Sequence, residues 1–245
     1  MTDKISILVP TYNRNKFLPL LLHNIKIQNY DHKLLNVIID DDGDTPFISD
    51  NEISEVRKYL HPVNLLYVKN KKRRNIGTKR NNLIKICPTK IFCFMDDDDI
   101  YMPTYISYSY SMLKQNKYGC VGSDKMLFTM SDKNFDIHMI NCGDNIKLIH
   151  EATLMATKKW FKASCKFANN SKGEGANLFH GHESKVGITD ISKVMVCLQH
   201  DGNTVDKMQF ARSDNKLDIE LSDELIHKLK SILQLTHNIL MCFIY

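Results

Sequence analysis

The sequence predicts an α/β fold with a mostly parallel central sheet flanked by helices, and three observations carry that prediction. Short apolar runs of strand length alternate with stretches of helical spacing through the first hundred residues. The apolar runs are close to continuous, as strands buried on both faces are. Polar residues gather just beyond the runs, at 11–13, 40–42 and 96–99, and in a parallel sheet the carboxyl ends of the strands are where ligands bind.

Residues 5–9 form the first buried-strand pattern, closed by Pro10. Residues 17–27 place Leu18, Leu21, Leu22 and Ile25 at helical spacing, with Asn13 or Asn15 as the expected cap. A second strand at 34–39 runs into Asp40, Asp41, Asp42 and Gly43. A helix at 53–60, a strand at 63–68, a helix at 75–87 behind the basic stretch Lys71, Lys72, Arg73, Arg74, and a strand at 91–95 complete the alternation. Beyond Pro103 the pattern loosens. A helix at 105–113, a short strand at 120–122, a hairpin of 125–130 and 135–140, and strands at 152–156 and 194–199 are expected. The tail from Asp218 to Tyr245 has helical spacing, and its end could dock on the core, pair with another subunit or touch a membrane surface. No linker divides the chain. It reads as one domain, 1–245, with a ligand-binding part at 1–123, a second part at 124–217 and a C-terminal helix at 218–245.

Composition narrows the function classes. With 43% hydrophobic and 25% charged residues the 245-residue chain is ordinary globular material. A net charge of +5 without a long basic stripe argues against nucleic acid. Seven cysteines, an odd set with no CxxC pair, read as buried reduced thiols. The longest apolar stretch falls short of the roughly 20 residues a transmembrane helix needs, and the first strand begins too early for a signal peptide. A soluble, cytoplasmic protein is expected.

The run Asp96, Asp97, Asp98, Asp99 carries the chemistry. Adjacent carboxylates raise one another's pKa unless a positive charge offsets them. Oxygen ligation by one or two carboxylates, completed by phosphates and water, suits Mg²⁺ or Mn²⁺. A solvated acidic loop is the ordinary fate of such a run, but this one follows the apolar 91–95 with no spacer and is therefore anchored on a buried strand. A phosphatase would place its paired aspartates after the first strand, and an EF-hand needs a central Gly and a terminal Glu. Neither pattern is present.

Four segments, 7–14 (ILVPTYNR), 37–43 (VIIDDDG), 75–81 (NIGTKRN) and 94–100 (FMDDDDI), resemble the motifs of family 2 glycosyltransferases in order and spacing. The resemblance covers residues 5–103 and is weak beyond about 125. It implies the Rossmann-like GT-A fold and an enzyme that transfers a sugar with inversion from a nucleotide-sugar, most commonly a UDP-sugar, to a glycan, protein or lipid acceptor. It implies that Pro10, Thr11 and Tyr12 pack around the nucleotide base, that Asp41 or Asp42 hydrogen-bonds it, and that Arg80 faces the nucleotide. Asp96 and Asp98 match the DxD acids: Asp98 as the ligand of Mn²⁺ or Mg²⁺, Asp96 toward the ribose or sugar, with Asp97 and Asp99 in support.

Inverting transfer also needs a carboxylate base. Glu174, between Gly173 and Gly175 and before a helix-like 176–182, is the candidate, with Glu183 as the alternative. His200, after the 194–199 strand, is nominated to complete the metal site. Trp160 and Phe161 read as core rather than as a sugar platform. Two other classes compete: a nucleotidyltransferase, which would carry a Gly-rich phosphate loop where this chain has Thr11 to Arg14, and a sugar-nucleotide or glycan-binding module without catalysis.

Overall fold

The computed structural model describes residues 2–131, 134–141, 143, 145–164, 166–203, 210 and 213–234. A seven-stranded sheet forms its centre. β1 (Ile5–Thr11), β2 (Leu35–Asp41), β3 (Asn64–Lys69) and β4 (Ile91–Phe94) pair in parallel, in the order β4-β1-β2-β3. β9 (Met155–Thr157) runs antiparallel beside β4, followed by β6 (Cys120–Gly122) and β10 (Val186–Ile188). The strand expected at 120–122 joins this sheet, while the one expected at 152–156 is confined to β9, residues 151–153 forming a 3-10 turn instead.

All seven residues of β1 are buried, as are all four of β4. The chain leaves β1 toward β2 and β3, then returns to lay β4 on the opposite side of β1. Connections diverging from neighbouring strands open a crevice at their carboxyl ends, the usual ligand position in such sheets. Apolar side chains fill both faces: Ile7, Val9, Ile39 and Cys93 belong to one cluster, Leu8, Ile38, Phe92 and Phe94 to the other. Trp160 and Phe161 are buried in the second, as core residues.

Helices α1 (Leu18–Lys26), α2 (Ile53–Leu60), α3 (Ile76–Ile86), α4 (Tyr105–Gln115) and α5 (Lys158–Ala163) connect the strands. Neither Asn13 nor Asn15 caps α1, whose N-cap is Phe17 with no side-chain hydrogen bond. Asn13 sits at φ +52 instead, and its Oδ1 accepts the Asp44 N–H at 2.7 Å; a short 3-10 turn, Asn15–Phe17, leads into the helix. α3 is capped as expected, Asn75 Oδ1 accepting the Thr78 N–H at 2.8 Å.

A second, four-stranded sheet orders β5 (Ile100–Tyr101), β11 (Met195–Gln199), β7 (Lys125–Met130) and β8 (Ile137–Asn141), the last two forming the expected hairpin. β5 follows the acid run directly, so pairing of Val196 with Ile100 brings β11 and its exit loop against that run. The stretch expected to be helical at 176–182 is a series of turns. Helix α6 (Asp223–Gln234) packs on α1, while the apolar end of the tail lies outside the described residues. No helix among the described residues is long and apolar enough to cross a membrane. Cys87, Cys93, Cys120 and Cys197 are buried.

Candidate active site

The β4–β5 junction spreads the four aspartates in different directions. Asp96 lies nearest solvent and faces Arg80, whose Nη2 is 3.2 Å from both its carboxylate oxygens. Asp97 and Asp98 are buried and share the Arg14 guanidinium: Nη1 is 3.1 Å from Asp97 Oδ1 and 2.7 Å from Asp98 Oδ2. Asp99 accepts the Leu198 N–H at 3.1 Å, tying the run to β11, and also borders the cavity that Asp96 and Asp98 line.

His200, at the exit of β11, reaches Asp98: its Nε2 is 2.9 Å from Oδ2. Its other nitrogen, Nδ1, accepts the Gly202 N–H at 3.1 Å, so the neutral ring carries its proton on Nε2 and donates it to Asp98. The ring also packs on Phe17, with centroids 4.5 Å apart. Burial would raise the Asp98 carboxyl, but Arg14 and the His200 hydrogen bond outweigh it and hold it below the ordinary carboxylate range. For Asp97 burial wins: its carboxyl is pushed up, with Arg14 offsetting only part.

α3 delivers the second cation. Arg80 is 2% exposed, stacks 4.6 Å from the Phe94 ring centroid and places Nε 3.3 Å from Glu174 Oε1. Its Nη1 is buried with no partner among the described residues. Gly77 makes this arrangement possible. A Cβ there would lie 1.8 Å from the Ala168 carbonyl oxygen, so only glycine lets the helix start dock on the loop that carries Glu174. Burial raises the Glu174 carboxyl, and Arg80 offsets part of that rise.

A cavity of ≈ 400 Å³ gathers these groups; Arg14, Arg80, Asp96, Asp98, Glu151 and Glu174 are on its wall. A second cavity of ≈ 250 Å³ is lined by Pro10, Thr11, Tyr12, Arg73, Arg74 and Lys79. Arg14, Ile76 and Ser171 border both, so the two adjoin. Arg73 stacks over Tyr12 at 4.2 Å from the ring centroid. The basic stretch is thus partly a wall of this cavity and partly solvated surface, Lys71 and Lys72 being exposed.

Asp41 and Asp42 line neither cavity. Asp41 accepts the N–H groups of Gly43 at 2.9 Å and Phe47 at 2.7 Å and the Tyr67 hydroxyl. Asp42 holds Lys79 and accepts the Arg74 N–H at 2.7 Å. Both carboxylates are consumed within the fold. Glu183 begins a 3-10 turn, Glu183–Lys185, and also lines neither cavity. Arg14, Lys79 and Glu151 escaped the sequence reading. Arg14 and Lys79 lie inside the 7–14 and 75–81 segments, a signal that could have flagged them, whereas nothing in the sequence marks Glu151.

This architecture, with polar strand ends at the β1/β4 crevice, is the GT-A fold, as comparison with known structures bears out. The chain matches 82% of its length to 60% of the crystallised S. aureus TarS 1-349 in complex with UDP-GlcNAc, with TM-score 0.60 and 15% identity. It matches 81% of its length to 57% of the mannosyltransferase PcManGT from Pyrobaculum calidifontis in complex with GDP-Man and Mn²⁺, with TM-score 0.58 and 17% identity. Residues 6–180 match the model of glycosyl transferase family 2, and the chain belongs to that family. Uncharacterized glycosyltransferases of Rickettsia felis and Rickettsia conorii are each 25% identical over 211 residues, 82% of this chain. The chain spans about a third of the length of those relatives, the matched share being 34% and 33%.

Proposed function

We propose that the chain transfers a sugar, with inversion, from a nucleoside-diphosphate donor to an acceptor hydroxyl. One observation carries this reading. Asp96, Asp98, Arg80 and three further carboxylates, Asp99, Glu151 and Glu174, meet in one cavity, next to a basic, aromatic-bearing cavity at the β1 end. In this reading the nucleotide occupies the smaller cavity, against Pro10, Thr11 and Tyr12, with Lys79, Arg73 and Arg74 supplying positive charge near its phosphates. The sugar lies beside Asp96 in the larger cavity, where Arg80 holds the Asp96 carboxylate in place. A UDP-sugar is our first choice of donor; the UDP-GlcNAc complex of a protein of the same fold supports it.

The donor set suits a divalent cation. The Asp98 carboxylate and the His200 ring nitrogen converge to 2.9 Å, and oxygen plus imidazole fits Mn²⁺ or Mg²⁺ completed by phosphate oxygens. No third His, Cys, Asp or Glu joins them among the described residues, consistent with ligands shared with the donor. Bound there, the cation offsets negative charge on the departing diphosphate. To ligate through Nε2, the neutral His200 ring would carry its proton on Nδ1 instead, giving up the Gly202 N–H. Arg14 holds Asp98 in the meantime.

A thermal-shift screen of UDP- and GDP-sugars with and without Mn²⁺, followed by assay of released nucleotide, tests the proposal. Donor should raise the melting temperature more with Mn²⁺ than without, since a ligand that binds only the folded state stabilises it. Failure of every nucleotide-sugar to stabilise the protein or to be turned over would reject it.

A further inference from the structure

We propose that Glu151, rather than Glu174, takes the proton from the acceptor hydroxyl, while Glu174 is a positioning residue for Arg80. The assignment rests on the transfer reading above and divides the two cavity carboxylates that lie outside the acid run.

They differ in what holds them. Glu174 is 7% exposed and its Oε1 is in a buried ion pair with Arg80 Nε. Burial pulls this carboxyl toward the protonated form, and the Arg80 guanidinium beside that oxygen favours the charged carboxylate and offsets part of the pull. Glu151 is half-buried, and its Oε1 accepts a backbone N–H, that of Gly175, at 3.0 Å. Among the described residues nothing hydrogen-bonds its Oε2. A backbone amide orients a carboxylate without neutralising it, which leaves the second oxygen able to receive a proton.

Position gives the second argument. The Tyr101 hydroxyl accepts the Asp96 N–H at 2.8 Å and donates to the Ala152 carbonyl at 3.1 Å. Tyr101 is wholly buried, so it rigidly links the backbone of Asp96, on the donor side, to the residue after Glu151. The 3-10 turn that starts at Glu151, Glu151–Thr153, then carries the carboxylate on the wall of the cavity.

Gly175 gives the third. A Cβ there would stand 2.4 Å from Glu151 Oε1 and 2.9 Å from its Cγ. The two glycines around Glu174 therefore have separate reasons: Gly173 turns the chain at φ +63, and Gly175 leaves room for Glu151. In the step assigned to it, Glu151 Oε2 takes the acceptor proton as the acceptor oxygen's electron pair forms the bond to the anomeric carbon. The bond from that carbon to the diphosphate oxygen breaks, and its pair leaves with the nucleoside diphosphate.

The test compares Glu151→Gln, Glu174→Gln and Gly175→Ala in the full chain, with UDP-GlcNAc and GDP-mannose, Mn²⁺, and water or added sugar as acceptor. Glu151→Gln keeps an acceptor for the Gly175 N–H, so its melting temperature should stay near wild type. Its kcat should fall about 10²-fold or more, the usual range for a lost general base, with donor KM and UDP affinity unchanged. Gly175→Ala pushes on Oε1 and Cγ of the Glu151 side chain, which has to swing aside, and it should lower kcat in the same sense with the fold intact. Glu174→Gln should instead raise donor KM and weaken UDP binding by about fivefold or more, with the smaller effect on kcat. Near-normal kcat in both Glu151→Gln and Gly175→Ala overturns the assignment. So does loss of kcat in Glu174→Gln with donor binding unchanged. A wild type that neither binds nor turns over either donor overturns the transfer reading, and this assignment with it.

Discussion

Residues 40–42 and 96–99 end the two strands that flank β1, and both are runs of aspartate buried for most of their length. Around the first run every carboxylate is matched from inside the fold. Asp40 takes Arg74 and the Asn70 amide, Asp41 two backbone N–H groups and a tyrosine hydroxyl, and Asp42 Lys79 and the Arg74 N–H. The second run has partners too, Arg80 for Asp96, Arg14 and His200 for Asp98 and the Leu198 N–H for Asp99, yet these three also stand on a cavity wall. Consecutive residues of α3 make the division: Lys79 closes the first run, Arg80 braces the second. The count of acids therefore does not mark a site. What marks it is a carboxylate whose partners leave it facing open volume.

Four measurements bear on this contrast. Asp42→Asn should cost the most stability, about 3–5 kcal/mol, because Lys79 is left buried without its counter-charge. Urea denaturation would read the loss, and an unchanged midpoint would remove the structural role given to the first run. Asp98→Asn should do the reverse, leaving the urea midpoint closer to wild type. It should cut transfer about 10²-fold or more, as loss of a charge-stabilising group does, and weaken Mn²⁺ binding measured by titration. Equal Mn²⁺ affinity in that variant would move the metal elsewhere.

Arg14→Ala should lie between them. Removing the guanidinium from Asp97 and Asp98 should cost about 1.5–3 kcal/mol, the range for hydrogen bonds to charged groups. Added Mn²⁺ should recover part of the loss, because a second cation restores the missing charge. A thermal-shift comparison with and without Mn²⁺ would show this, and a deficit that Mn²⁺ leaves untouched would separate Arg14 from the metal site.

The smallest effect concerns pH. Glu174 is raised chiefly by burial, so the folded state holds its proton more tightly than the unfolded state. Its contribution is present in full below the unfolded value, about 4.3, and is lost as pH rises through the folded one. Glu174→Gln should therefore flatten the decline in stability as pH climbs from about 4 upward through that window. Urea midpoints across the window would measure it, and an unchanged slope would place Glu174 in a more solvated setting.

Much of the fold was legible because it follows from local pattern. Continuous apolar runs became β1, β2 and β4, helical spacing became α1 and α2, and Asn75 capped α3 where expected. Failures came where geometry overrode composition. Asn13 found amide donors at residues 44 and 45 instead of a helix start. Residues 176–182 became turns folded against the α3 region rather than a helix. The site was legible in the same proportion. Asp96, Asp98, Arg80, Glu174 and His200 were marked by their places at strand ends or in motifs, and they meet around the larger cavity. Arg14 stood at the end of the 7–14 segment without a role assigned to it, and Glu151 carried no mark at all.

By itself the sequence determined where the carboxylates stand, since an apolar strand followed at once by aspartates must deliver them to the edge of a buried sheet. It placed glycine at 77 and 175, but only the structure shows that a Cβ at either position would collide with a neighbour. Only the tertiary structure decided which aspartates are spent on the fold and which face a cavity. That choice depends on cations and amides far away in the chain. Arg14 meets Asp97 across 83 positions and the Gly202 carbonyl across 188, and Glu151 meets Gly175 across 24. Local propensity does not encode such distances. The pairing of strands does, because β1, β4 and β11 bring three distant loops to one place.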